Sequence, residues 1–290
     1  MAILVILVLI AVTTLSNAWP ALREAGFGFV TSKEWAPSEG KFGALAFMFG
    51  TGVVAAIAVT LALPVSVGIA LFVTEVAPGR LRALVVAVMD LLAGIPSVVF
   101  GLWGILVLGP NVIDLYNSIS RAVDPIPVLT NLFNGTQSGR AFFTAGLILA
   151  VMITPIITSV TREVFATVPG NDKDGALALG ATRWEMIKGV VFPHSVGGMV
   201  GATMLGLGRA MGETIAVALV VGSTPQITAN LFSTGDTMPS VIAFQFGEAS
   251  GTHRAALIAL GVCLFAITIV VNVSARSIVR RFDTRMRGAA

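Results

Sequence analysis

Of the 290 residues, 56% are hydrophobic and only 11% are charged, with a mean hydropathy of +0.91, whereas a soluble domain carries roughly 25% charged residues. The chain therefore reads as a polytopic membrane protein, and its net charge of +3 and pI near 9.5 come without the aromatic and basic patch that would argue for nucleic acid. The one cysteine, Cys263, excludes an intramolecular disulfide and a cysteine-based metal site.

Crossing about 30 Å of hydrocarbon takes about 20 helical residues. Apolar stretches of that length lie at 2–22, 43–74, 83–109, 141–160, 196–222 and 254–276, which predicts an all-α fold with six transmembrane helices. Ser16-Asn17-Ala18 resembles a signal-peptide cleavage site, but no positive region precedes the first apolar run, so it reads as a true span. Its abrupt start at Met1 leads us to expect that an upstream segment is missing or very short. The second stretch exceeds a simple crossing and contains Pro64, so a kink or a projection beyond the bilayer is expected. In the third, Asp90 lies eight residues past Arg82, about 12 Å along a helix and so near the inner interface, where a structural hydrogen-bonding role is expected. Pro96 and Pro155 free backbone carbonyls and mark candidate bends along a path.

Lysine and arginine set the orientation. With the N-terminus inside, the inner positions hold Arg80, Arg82, Arg162, Lys173, Arg183, Lys188, Arg276, Arg280, Arg281, Arg285 and Arg287, against Arg23, Lys33, Lys41, Arg121, Arg140 and Arg254 outside. The positive-inside rule then places both termini in the cytoplasm. The outer loops 23–42, 110–140 and 223–253 are rich in Gly, Pro, Asn and Ser and are the surface open to a soluble partner. His194 and His253 lie at segment ends and read as structural.

The polar stretch 162–195 falls on the inner side. Pro169-Gly170 breaks the preceding helix, Asn171 or Asp172 is placed to cap a new one, and Asp174 to Leu179 supplies a short helix that stops at Gly180. Thr182 and Glu185 have capping-box spacing for a second helix, expected to run to Pro193. Between charges the unit displays Ala176, Leu177, Ala178 and Leu179, side chains that a groove in a partner protein accepts. Gly170 to Gly175 begins like a P-loop, but Ala176-Leu177 stand where Lys-Ser/Thr would be needed, so this chain binds no nucleotide there and is not itself expected to be an enzyme.

Asp174-Gly175-Ala176, three residues, Gly180, nine residues, then Val190 to Pro193 resembles the EAA motif of ABC-importer permeases. The departures are Asp174, Gly175, Val190 and Phe192; only Gly175 weakens a helix, by roughly 1 kcal/mol. The resemblance implies that Asp174, Gly175, Ala176, Leu177, Gly180 and Pro193 couple the chain to an ATPase.

In the fifth stretch Arg209 and Glu213 are four residues apart, which on one helix would let them pair and so reduce the cost, about 2.5–3.5 kcal/mol each, of facing lipid. Gly197, Gly198, Gly201, Gly206, Gly208 and Gly212 accompany them and allow close helix contact or leave room for a pore. A salt bridge that orients helices and a fork of donors for a passing anion are both open readings.

GRAMGETIAV (208–217) and AGIPSVV (93–99) are similar to stretches of the PstC-like permeases of bacterial phosphate importers, and the likeness runs from about Gly50 to the C-terminus. The related A-P-L ending of the sister PstA-like subunits is missing here. The resemblance implies a MetI-like helical core in the inner membrane, a PstA-like partner permease, a PstB-like ATPase dimer and a PstS-like phosphate-binding protein outside. It implies no cofactor, no metal and no nucleic acid, only lipid around the helices, and it matches Arg209 and Glu213 to an intramembrane pair on the substrate pathway. On this reading residues 1–42 hold the first transmembrane helix and an outer loop, and residues 43–290 the permease core, with the coupling element at 162–195. A permease for sulfate or molybdate, a proton-driven secondary transporter with Glu213 as carrier, and a membrane scaffold that reports phosphate supply remain open at this point.

Overall fold

The computed structural model describes residues 2–136 and 138–287; Met1, Gln137 and residues 288–290 lie outside them, and so do the two ends of the expected 1–42 and 43–290 segments. Of Arg280, Arg281, Arg285 and Arg287 only the helical backbone is described. In chain order come α1 (Ala2–Ala25), α2 (Gly28–Thr31), a small antiparallel ladder of Trp35–Ala36 with Lys41–Phe42, α3 (Leu45–Leu71), α4 (Gly79–Gly94), α5 (Ser97–Trp103) and α6 (Gly109–Val123). There follow α7 (Pro127–Leu132), α8 (Phe142–Ala166), α9 (Gly170–Ala178), α10 (Arg183–Met186), α11 (Phe192–Gly212), α12 (Ile215–Val221), α13 (Met238–Gln245) and α14 (Gly251–Arg287).

Among the described residues six runs are long and apolar enough to cross a bilayer: Ile3–Ala25, Leu45–Val76, Ser97–Val123, Phe142–Ala166, Arg183–Gly212 and Gly251–Ser277. The third and fifth differ from the hydropathy reading. Pro96 drives Ile95 out of helical geometry (ψ 127°), so α4 ends at Gly94 and the third span starts at Ser97 rather than 83. α4 buries none of its residues, and Asp90 is exposed on it without a hydrogen-bond partner among the described residues, against the structural role expected from sequence.

The fifth span starts earlier, at Arg183, because Pro193 does not end its helix. The π-helical turn Ile187–Val191 widens the backbone just before the proline, where a missing donor and a bulky ring are accommodated. It also ends earlier, at Gly212. The second span continues through Pro64 into a π-helical turn, Phe72–Val76. Its 32 residues extend about 48 Å, well beyond the hydrocarbon thickness, so it projects as expected.

The chain gathers into two compact units. One comprises 1–57, 96–149 and 210–268. Ala18, Phe29, Phe47, Met238, Leu257 and Leu260 form its main apolar cluster, and His253 stacks on Phe42 while bonding Gln245 (3.0 Å), a structural role as the sequence indicated. In this unit the loop after α12 is tied to the start of α3 and of α8. The Met238 amide donates to Thr51 Oγ1 (3.0 Å), and the Phe142 and Phe143 amides donate to the Ser233 and Leu231 carbonyls (3.0 and 2.9 Å). Asp236, buried in the same loop, accepts from the Thr237 amide (2.8 Å) and the Ser240 hydroxyl, and burial pushes its carboxyl above the usual range.

The other unit comprises 58–95, 150–209 and 269–290. Here the Ser66 hydroxyl of α3 donates to the Thr154 carbonyl of α8 (3.2 Å), and Ala70, Phe165, Val168, Met186, Ile187 and Val191 form the core.

At Gly50 an added Cβ would overlap the Asp236 carbonyl, whereas at Gly52 it would meet nothing within 4 Å. Gly50→Ala is expected to destabilise the protein by about 1–3 kcal/mol. Melting of the purified protein in detergent should show this loss, with Gly52→Ala at or above the wild type.

Candidate functional site

The short helices α9 and α10 make up the stretch that the sequence reading takes as a coupling element. α9 starts directly after Pro169, whose fixed φ (−59°) suits the position before a helix, so Asn171 and Asp172 lie inside the first turn and neither is the cap. The end is built as predicted. Gly180 takes φ +90°, its amide bonds the Leu177 carbonyl (3.0 Å), and the Ala181 amide bonds the Ala176 carbonyl (3.1 Å), a Schellman pattern that closes the last turn. The capping box of α10 is also present. Thr182 Oγ1 accepts from the Glu185 amide (3.3 Å), and Glu185 Oε2 accepts from the Thr182 amide (2.8 Å).

The four apolar residues expected on display divide between two faces. Ala176 turns inward against the cluster of Ala70, Phe165 and Met186, while Leu177 is 41% and Leu179 91% exposed. Asp174 and Gly175 are exposed as well, and Pro193 is half-buried. Sequence reading missed Trp184 on α10, 62% exposed beside this patch in the chain. Tryptophan is enriched among interface anchors; its place in a polar stretch was legible in the sequence, and its exposure is shown by the structure.

Arg209 and Glu213 are not four apart on one continuous helix. Arg209 lies exposed in the last turn of α11, where a cation complements the helix C-terminus. Glu213 lies beyond the end of that helix, and its Oε1 accepts from the Ala216 amide at the start of α12 (3.4 Å), where a carboxylate is favoured in turn. The ion pairs among the described residues join Lys41 to Glu34 and Glu39, and Lys173 to Glu75; the helical pair expected from spacing is not among them. Gly212, followed by two residues outside any helix, is what separates the charges onto two helix ends.

The glycines of α11 divide into two sets, and close helix contact is seen for one of them. Gly198 meets Val164 and Gly206 meets Ile157 so closely that a side chain would not fit, which brings α11 onto α8. Gly197, Gly201 and Gly208 instead line an open groove of about 480 Å³ with Asn272 and Arg276 of α14.

A family model described as binding-protein-dependent transport system inner membrane component matches residues 62–288. The phosphate transport system permease protein PstC of Xylella fastidiosa is 43% identical over 284 residues, covering 98% of this chain and 88% of that protein. PstC of Mesorhizobium japonicum is 42% identical over 288 residues, with 98% and 88% covered, and PstC of Haemophilus influenzae 38% over 282, with 97% and 90% covered. Among solved structures, the inward-facing methionine ABC transporter MetNI aligns over 80% of this chain and 94% of its own at a TM-score of 0.56 and 18% identity. A bacterial alginate ABC transporter aligns over 96% and 94% at a TM-score of 0.57 and 17% identity. Those two likenesses are of fold.

Because φ at Gly180 is +90° in open space, Gly180→Val is expected to strain the Schellman turn without a clash. A cost of about 1–2 kcal/mol would speed amide exchange across 170–182 by about 5- to 30-fold. Gly175→Ala, in the middle of α9, should slow it.

Proposed function

We infer function from one premise: the chain belongs to the family of binding-protein-dependent transport system inner membrane components. It is a permease subunit of an ATP-driven phosphate importer and forms part of the translocation pathway. The observation that carries the phosphate reading is the near end-to-end likeness, about 40% identity, to permeases named for phosphate transport.

The finer reading is as follows. A PstA-like permease completes the pathway, a PstB-like ATPase dimer docks on α9 and α10, and a PstS-like phosphate-binding protein delivers its ligand to the outer loops. ATP is hydrolysed on the ATPase, in keeping with the missing P-loop lysine. Both termini lie in the cytoplasm, supported by the excess of Lys and Arg on that side. Docking is supported by the exposed Leu177, Leu179 and Trp184, which find no cover within the described chain. Asp174, Gly175 and Gly180 shape this surface, and Pro193 seats it at the start of α11.

Arg209 provides the positive potential that a desolvated phosphate needs, with a planar fork of donors matched to its oxygens. Glu213 keeps the anion from binding too tightly to move on. Support comes from the break between α11 and α12, which follows Arg209 by one turn and holds Glu213. Broken helices at membrane depth are tolerated where they line a cavity, and their ends present partial charges to an ion.

Arg209→Gln is expected to abolish uptake of labelled phosphate while the complex still assembles, and Glu213→Gln to impair it. Complex abundance, measured alongside, discriminates. Residues that only complement the ends of α11 and α12 should lower abundance when neutralised and leave uptake per complex near the wild type, whereas an anion path loses uptake at wild-type abundance. Wild-type uptake per complex in Arg209→Gln would reduce both residues to architecture.

A further inference from the structure

Lys173 and Glu75 form an ion pair of 2.6 Å with only 19% and 10% of their side chains exposed. Glu75 sits in the π-helical turn that ends the second span, and Lys173 in the first turn of α9. Burying charges this far removes much of their hydration, so each depends on the other, and either one alone is a liability. The turn around Glu75 is itself braced. Thr74 Oγ1 donates to the Ala70 carbonyl (3.0 Å), Arg82 Nη2 donates to the Thr74 carbonyl (3.3 Å), and the Ala77 amide closes on Phe72 (2.7 Å).

Lys173 and Ala176 are three residues apart on α9 and so share one face. That face holds the helix to its own protein, through Ala176 in the apolar cluster and through Lys173 on Glu75. Leu177 and Leu179 remain exposed. Apolar contact resists separation but slides; a charge-assisted hydrogen bond fixes both distance and direction. It is the one ionic tether between α9 and a membrane span among the described residues.

We propose that Lys173 and Glu75 are positioning residues that transmit displacement of the coupling element to the inner end of the second span. The inference rests on reading α9 and α10 as the ATPase-docking element. The pair touches neither substrate nor nucleotide. Its function is to keep ATP hydrolysis tied to movement of the span.

The test measures phosphate taken up per ATP hydrolysed by the complete transporter in proteoliposomes, with ATPase retention on purification. Lys173→Met and Glu75→Gln should retain the ATPase and continue to hydrolyse ATP, while uptake per ATP falls by about tenfold or more. Lys173→Arg, and the swap Lys173→Glu with Glu75→Lys, should recover most of it. A merely structural pair would change abundance and leave the ratio alone. If single variants do not accumulate, the doubly neutral Lys173→Gln with Glu75→Gln leaves no orphan charge and should show the same loss of ratio. Wild-type uptake per ATP in the neutral variants, or a swap as poor as the single changes, overturns the proposal. Leu177→Asp separates the two readings. If it keeps the ATPase bound at wild-type level, the docking assignment fails, and the proposal that rests on it fails too. If it releases the ATPase while the pair variants keep a normal ratio, docking stands and the tether alone is wrong.

Discussion

A backbone amide or carbonyl without a partner costs several kcal/mol in hydrocarbon, and that constraint governs where this chain departs from helix. At the start of α8 the Ala141, Phe142 and Phe143 amides donate to the carbonyls of Val220, Ser233 and Leu231. At the start of α3 the Ala44 and Leu45 amides donate to Phe29 and Ser32. Between α11 and α12 a carboxylate takes the role, and Glu213 accepts from the Ala216 amide. The loops before α3 and after α12 are thereby extensions of the helices rather than slack between them.

The same constraint is met differently in α9 and α10. Outside the hydrocarbon a helix end can be closed by itself, as the Schellman turn at Gly180 and the capping box at Thr182 do. Two short helices so closed form a stiff unit with one face free. Their inner face is fixed by a few apolar contacts and one ion pair, so the element is anchored at few points and its outer leucines stay available. On the docking proposed for α9 and α10, a separate ATPase would meet a short element held to its own protein at few points.

Features that depend on neighbours in sequence were legible there. Composition marked the membrane class, and the spans beginning near residues 2, 43, 141 and 254 match helices in the structure. The capping box and the Gly180 stop were readable because both are closed within a few residues. Hydropathy failed where apolar stretches contain helix ends: α4 merged with the third span because Ile95-Pro96 is as apolar as its flanks. Pro193 misled in the opposite direction, since a π-helical turn absorbs it. The Arg209 and Glu213 spacing implied a helical pair, but spacing says nothing of a helix that stops at Gly212. The Lys173 and Glu75 contact joins residues 98 apart and leaves no local pattern to find.

The central claim is that this chain moves phosphate under the control of a docked ATPase and not by coupling to protons through Glu213. The most direct measurement reconstitutes the purified chain with its partner permease, ATPase and binding protein, and follows labelled phosphate under two driving forces. ATP without a proton gradient should give uptake that stops when the ATPase is left out, and an imposed proton gradient without ATP should give none. Uptake driven by the proton gradient alone would contradict the account and make Glu213 the carrier of the driving ion.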